Sequence, residues 1–223
     1  MRKTLTLMVA LALLAGLVTA VAAGAGRGER PKIRYNAADQ AAAKAAVVRR
    51  ADLGTGVWKG GTTKPDLSPA PTCANYHPKQ SDLVLTGAAE TTWTGGAQVY
   101  LDSETQVLRS ARMVLLDWQR TFKVPGALQC FRRVLGKALG SQAKLVSFKQ
   151  VSFPHIARYA ARFRLILDEK AGGRKLRYVG DVVVVGRNRT EITLTTIAPV
   201  AKHAAVAATS LRLARALLGR VRG

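Results

Sequence analysis

The alternation of apolar and polar positions changes character several times along the chain. Residues 39–53 are Ala-rich with Val47, Val48 and Leu53 apolar, and Gly54 follows where a helix end favours a left-handed residue. That spacing predicts a first helix. Residues 54–78 collect Gly, Thr, Pro and Ser around Trp58 and Cys73, a long irregular segment that a domain tolerates only when something ties it down. Two β-favouring stretches, 82–94 and 97–101, flank Gly95-Gly96 and predict a hairpin. Ser103-Glu104-Thr105-Gln106 has the S-x-x-Q spacing of a capping box, so a second helix is expected from about 104 to 121. Val107, Ala111, Val114, Leu115 and Trp118 form its apolar stripe, with Arg109, Arg112 and Arg120 away from it. Pro125 can open a third helix that continues over 127–139 and carries Cys130.

From residue 144 onward the pattern is strand-like: 144–153, 158–167, 175–185 and 190–198, with Gly172-Gly173 and residues 186–189 as turns. Tyr159, Ala161, Phe163, Leu165 and Leu167 alternate with Arg158, Ala160, Arg162, Arg164 and Ile166, the period of a half-buried strand with one basic face. A last helix over 201–220 puts Val206, Leu213, Leu217, Leu218 and Val221 on one arc, opposite Arg212, Arg215 and Arg222. Hairpin-linked strands between helices imply an α+β domain with an antiparallel sheet of about six strands.

The N-terminus follows another logic. Met1-Arg2-Lys3 is a short positive start, residues 5–18 carry no charge, and Ala20-Val21-Ala22 and Ala23-Gly24-Ala25 offer small residues for a peptidase. Residues 1–25 are expected to be a signal peptide cleaved after Ala22 or Ala25. No Cys occurs before Cys73, so lipoprotein attachment is not expected and the product is released. An uncleaved anchor is the alternative, because residues 5–23 approach the roughly 20 residues that a bilayer core requires. Residues 26–36 then form a flexible lead-in, and 37–221 a single domain.

Export changes the meaning of the charge. The chain carries 35 Lys and Arg against 13 Asp and Glu, a formal +22, and loss of Arg2 and Lys3 with the signal leaves +20. Such a surface attracts polyanions. Outside the cytoplasm these are anionic wall polymers and lipid headgroups, and nucleic acid is not an expected partner. An Arg-rich, Ala-, Gly- and Val-rich chain is also what a G+C-rich genome produces without selection for binding. Export further places Cys73 and Cys130 where disulfides persist, and a bridge between them would stabilise the fold by about 4 kcal/mol on the chain-entropy model.

Little in the sequence points to catalysis. His77, His155 and His203 are scattered, no G-x-S-x-G is present, and no zinc-ligand spacing occurs, so no enzyme activity, metal or cofactor is expected. Asp181 lies in the apolar strand 179–185, where a carboxylate needs a basic partner or lines a cleft. Asn188-Arg189-Thr190 matches a glycosylation sequon without further support. Arg158, Arg162, Arg164 and Arg177, with Arg187 and Arg189 in the adjacent turn, form a candidate anion-binding surface, since the guanidinium fork suits phosphate and carboxylate. The same charges would serve a solvated strand face.

Three segments carry a family resemblance. Residues 51–58 (ADLGTGVW), 81–87 (SDLVLTG) and 127–130 (ALQC) resemble the exported sensor-domain proteins of actinobacteria, whose best-known members include the extracellular domain of PknH-type receptor kinases. The resemblance spans most of residues 39–219. It implies a twisted antiparallel sheet with helices packed on it, a disulfide, and a cleft that receives a ligand. The chain lacks the kinase region and the lipoprotein Cys of those relatives, so no signalling role follows. The expected function is a secreted, non-enzymatic, sensor-like domain binding a small or polymeric ligand of the envelope; the alternative is a basic protein associating with anionic wall polymer or lipid headgroups by charge alone.

Overall fold

A computed structural model describes residues 28–96, 98–141, 143–171 and 174–221; the expected signal peptide and the Gly172-Gly173 turn lie outside them. After a two-residue strand β1 (Lys32–Ile33), Asn36 caps helix α1 (Ala37–Ala45), its side-chain carbonyl accepting from the Asp39 amide at 2.9 Å. A 3-10 turn (Arg50–Leu53) leads through Gly54, at φ 72°, into β2 (Trp58–Thr63). The predicted hairpin forms as β3 (Val84–Gly95) and β4 (Val99–Leu108). Two helices follow, α2 (Ala111–Phe122) and α3 (Ala127–Ala138), then four strands, β5 (Ala143–Val151), β6 (Tyr159–Ala171), β7 (Arg174–Arg187) and β8 (Thr190–Pro199), and helix α4 (His203–Arg220).

The second helix starts later than its sequence suggested. Ser103 to Gln106 lie in the middle of β4, and the N-cap is Ser110, whose Oγ accepts from the Met113 amide at 3.3 Å. Ser103 could not serve as a cap because its hydroxyl is already used: it accepts from the Val48 amide at 3.2 Å, while Thr105 donates to the Ala46 carbonyl at 2.9 Å. These bonds fix the strand against the segment after α1. Two stretches expected to be irregular, 26–36 and 54–78, also each contribute a strand, β1 and β2.

The sheet is open and mixed, in the order β1-β3-β4-β8-β7-β6-β5, with β2 also on the outer edge of β3. Every pairing is antiparallel except β1 with β3. It therefore exceeds the expected six strands by two short edge pieces. Helices α1 and α4 cover one face. There Leu213 and Leu217 of α4 pack with Val183, Ile192, Leu194, Leu101 and Trp93, and Ala43 and Val47 pack on Ala89 and Val107. Gly87 makes the α1 approach possible, since a Cβ there would collide with the Asp39 carbonyl. Helices α2 and α3 cover the opposite face, with Val114 against Leu83 and Leu108, and Trp118 against Ala161, Phe163 and Val184.

The Cys73–Cys130 disulfide forms, joining residues 57 apart and tying the 64–80 segment to α3. Tyr76 completes the tie, its buried hydroxyl donating to the Thr121 carbonyl at 3.1 Å.

Candidate functional site

Strict alternation sorts the residues of the central strands between the two faces. On the α2/α3 side lie Glu104 and Gln106 of β4, Glu191, Thr193, Thr195 and Ile197 of β8, Val182 and Val184 of β7, and Phe163, Leu165 and Leu167 of β6. A register shift between Leu145 and Ser147 in β5 brings Leu145 and Phe148 onto this same face. The helices do not sit flush on it. They leave a partly open cavity of about 380 Å³, bordered by Asp117, Thr121 and Phe122 of α2, Leu128, Phe131 and Leu135 of α3, and Leu67, Ala70 and Gln80 of the stapled segment. That volume falls in the range of about 300–1,000 Å³ usual for small-ligand sites.

The helices are held away from the sheet at fixed points. Trp118 is anchored on β6 and β7, and an aromatic series runs across the gap: Phe131 to Phe122 at 6.4 Å, Phe122 to Phe163 at 5.4 Å and Phe163 to Phe148 at 5.8 Å between ring centroids. These contacts form one apolar wall. Leu145, Leu165, Leu167 and Ile197 extend it.

The other end is polar and acidic. Glu104, Asp117 and Glu191 line the cavity, and no Lys, Arg or His does so among the described residues. Their bonds come from neutral donors: Gln106 Nε2 to Glu104 at 2.7 Å, and Gln80 Nε2 and Thr121 Oγ1 to Asp117 at 2.9 and 3.1 Å. Asp117 and Glu191 are close enough to influence one another. Glu90 stands directly across the strand pair from Glu104, an opposition of like charges that destabilises a sheet when both ionise. Burial, reinforced by Glu90 and Asp102, pushes Glu104 up to about 8. Burial and Glu90 likewise raise Asp102 to about 7. Burial raises Asp117, and burial with the neighbouring Asp117 raises Glu191 well above the ordinary carboxyl range. Burial is the largest cause of each shift, and only at Asp117 does a cation, Arg120, offset part of it.

The residues singled out in the sequence fall elsewhere. Asp181 is 1% exposed but faces α4, where it accepts from Arg164 Nε at 2.9 Å, with Arg162 at 3.8 Å and His203 at 3.5 Å. It therefore does not line the cavity. The six arginines are divided among separate partners. Arg162 and Arg164 lie with Asp181, Arg177 donates to Asp168 at 2.7 Å, and Arg189 holds Asp39 at 2.7 Å. Arg187 donates to the Leu218 carbonyl at 3.2 Å, and Arg158 stacks over Tyr159 at 5.6 Å. The acidic trio was missed because Glu104 fell in an expected helix and its companions are far away in sequence. The signal that could have found Glu104 is the period-two run Tyr100, Asp102, Glu104, Gln106 facing away from Leu101, Ser103, Thr105 and Val107.

No group of three or more His, Cys, Asp or Glu among the described residues has metal-site geometry, and no described helix is long and apolar enough to cross a membrane. No protein-family model matches the chain. No curated protein matches it either. Solved structures do show a distant likeness. The extracellular domain of PknH from Mycobacterium tuberculosis aligns over 81% of this chain and 96% of its own, with 8% identity and a TM-score of 0.46. An uncharacterized protein (Rv0999 ortholog) from Mycobacterium smegmatis aligns over 83% of this chain and 98% of its own, with 12% identity and a TM-score of 0.43. A PknH extracellular domain, the kind of relative expected from the sequence, is thus among these distant likenesses.

Proposed function

We propose that the chain is an exported, non-enzymatic, sensor-like domain of the cell envelope that binds a small molecule between its sheet and the α2/α3 pair. The cavity carries this reading: about 380 Å³, apolar along most of its wall and polar at one end. That combination of an apolar body and a few convergent polar groups is the usual form of a small-ligand site. The cavity lining holds neither histidine nor cysteine among the described residues. His77 instead lies beside the Ala74 carbonyl at 3.3 Å, and His203 beside Asp181.

A neutral apolar dye tests the cavity without engaging surface charge. Nile red should bind at one site per chain with a blue-shifted emission, unchanged in 0.5 M NaCl, and Leu135→Trp should weaken it at least tenfold by filling the space. Binding that is not saturable, or that survives Leu135→Trp, would refute the cavity reading. The competing reading rests on the formal charge of +22 and predicts salt-sensitive binding to anionic vesicles or wall polymer, indifferent to that substitution.

A further inference from the structure

The geometry points to a cationic amphiphile as the occupant: an alkyl amine or amidine whose tail lies along Leu145, Phe148 and Phe163 and whose head is held by Glu104, Asp117 and Glu191. This inference rests on the ligand-binding reading above and adds the chemical class. Its basis is charge complementarity between the occupant and a cavity whose lining holds acids and no base among the described residues. The chain has 35 basic residues and only 13 acidic ones, yet the cavity lining contains three acids and no base among the described residues. A site built for a carboxylate or phosphate headgroup would draw on the abundant arginines, as anion sites do.

Several acids outside the cavity are paired with bases, Asp39 with Arg189, Asp52 with Arg220, Asp168 with Arg177 and Asp181 with Arg164, while Asp102 on the same strand as Glu104 and Glu90 on the strand beside it have neutral donors. The cavity trio likewise has neutral donors, and these are already committed, Gln106 to Glu104 and both Gln80 and Thr121 to Asp117. What the trio offers to an occupant is acceptor capacity. An ammonium head has three N–H donors and no acceptor, so it matches a cavity end lined by carboxyl groups. Without it the carboxyls must retain protons to relieve their burial and mutual repulsion. With it, a carboxylic acid of the site becomes a carboxylate hydrogen-bonded to the ammonium, and one proton passes to solvent. Binding and proton release are therefore coupled.

Three ten-carbon probes that differ only in the head separate this inference from the reading beneath it. At pH 7, with the disulfide intact, decylamine should bind at least tenfold more tightly than decanol and a hundredfold more tightly than decanoate. Weakly buffered solution should acidify stoichiometrically with decylamine and not with decanol. Glu104→Gln and Glu191→Gln, which relieve repulsion rather than remove packing, should each keep decanol binding and cut the decylamine advantage to less than threefold. The acidification is read on the unaltered chain, so it holds even if a variant folds poorly. Decanoate binding as tightly as decylamine at a site that Leu135→Trp closes, or decylamine binding without proton release, overturns the head-group inference while leaving the cavity reading intact. If none of the three probes binds saturably in a way that Leu135→Trp abolishes, the cavity reading itself fails.

Discussion

The two faces of this one sheet are built from the same strands and put to different uses. On the α1/α4 face, Leu213, Leu217, Val183, Ile192 and Leu194 are no more than 1% exposed, and Asp39, Asp52 and Asp181 each meet an arginine. On the α2/α3 face the helices stand off, a cavity remains, and Glu104, Asp117 and Glu191 meet none. Both sets of acids are carried by a strongly basic chain, so the difference is one of placement. An acid left without a counter-charge beside open space contrasts with the paired Asp39, Asp52 and Asp181, and such departures concentrate at functional sites.

The largest expected effect contrasts the same truncation on the two faces. Leu213→Ala should cost about 3–5 kcal/mol by leaving a void in a close-packed layer, whereas Leu135→Ala, beside space that already exists, should cost about 1 kcal/mol or less. Chemical denaturation of both variants reads the gap; equal losses would mean that the α2/α3 face is packed as tightly as the other. Next is Arg164→Leu, which strips Asp181 of its nearest partner. Because Arg162 and His203 remain, the loss should be about 2–3 kcal/mol, at or below the low end for a broken buried pair.

Glu104→Gln should move stability the other way. The amide can still accept from Gln106, and removing the charge should raise stability at pH 8 by about 1 kcal/mol, or about 2–4 °C in Tm. The smallest effects are in the pH profile, where the faces have opposite signs. Glu104 at about 8 and Asp102 at about 7 retain protons in the fold that the unfolded chain has released, so stability from this face falls as pH rises from about 5 to 8. Arg189 and neighbouring hydrogen bonds hold Asp39 below the ordinary carboxyl range, so its contribution is present at neutral pH and lost as pH falls below about 4. Thermal melts from pH 3 to 9 should show Glu104→Gln flattening the upper limb and Arg189→Ala the lower. The same limb flattened by both variants would deny that the two faces titrate separately.

Much of the fold was legible because long strands announce themselves by period. Tyr159 to Leu167 alternates as expected, with Phe163 and Leu165 on one face and Arg162 and Arg164 on the other. Export chemistry predicted the Cys73–Cys130 bridge, which forms. The 103–106 segment was misread because S-x-x-Q is a local signal, and tertiary bonds from Ser103 and Thr105 to residues 48 and 46 override it. The cavity itself was illegible. Its acids come from β4, α2 and β8, and only the sheet order places Gln106 directly opposite Glu191 and Glu104 opposite Thr193. Likewise Asp181 could be recognised as needing a base, but the sequence does not say which face of the sheet it takes.

The pairing of β4 with β8 sets the order in which the molecule can assemble. The first hairpin, β3 with β4, and the last three-strand group, β5 with β6 and β7, have no direct seam; β8 joins them. A chain emerging from the ribosome therefore has two half-sheets and an open edge on each until residues 190–199 are made. The ties that close the α1/α4 face, Asp39 with Arg189 and Asp52 with Arg220, span 150 and 168 residues and are equally late. Contacts of such long range slow folding. The complete sheet therefore cannot close until synthesis is nearly finished.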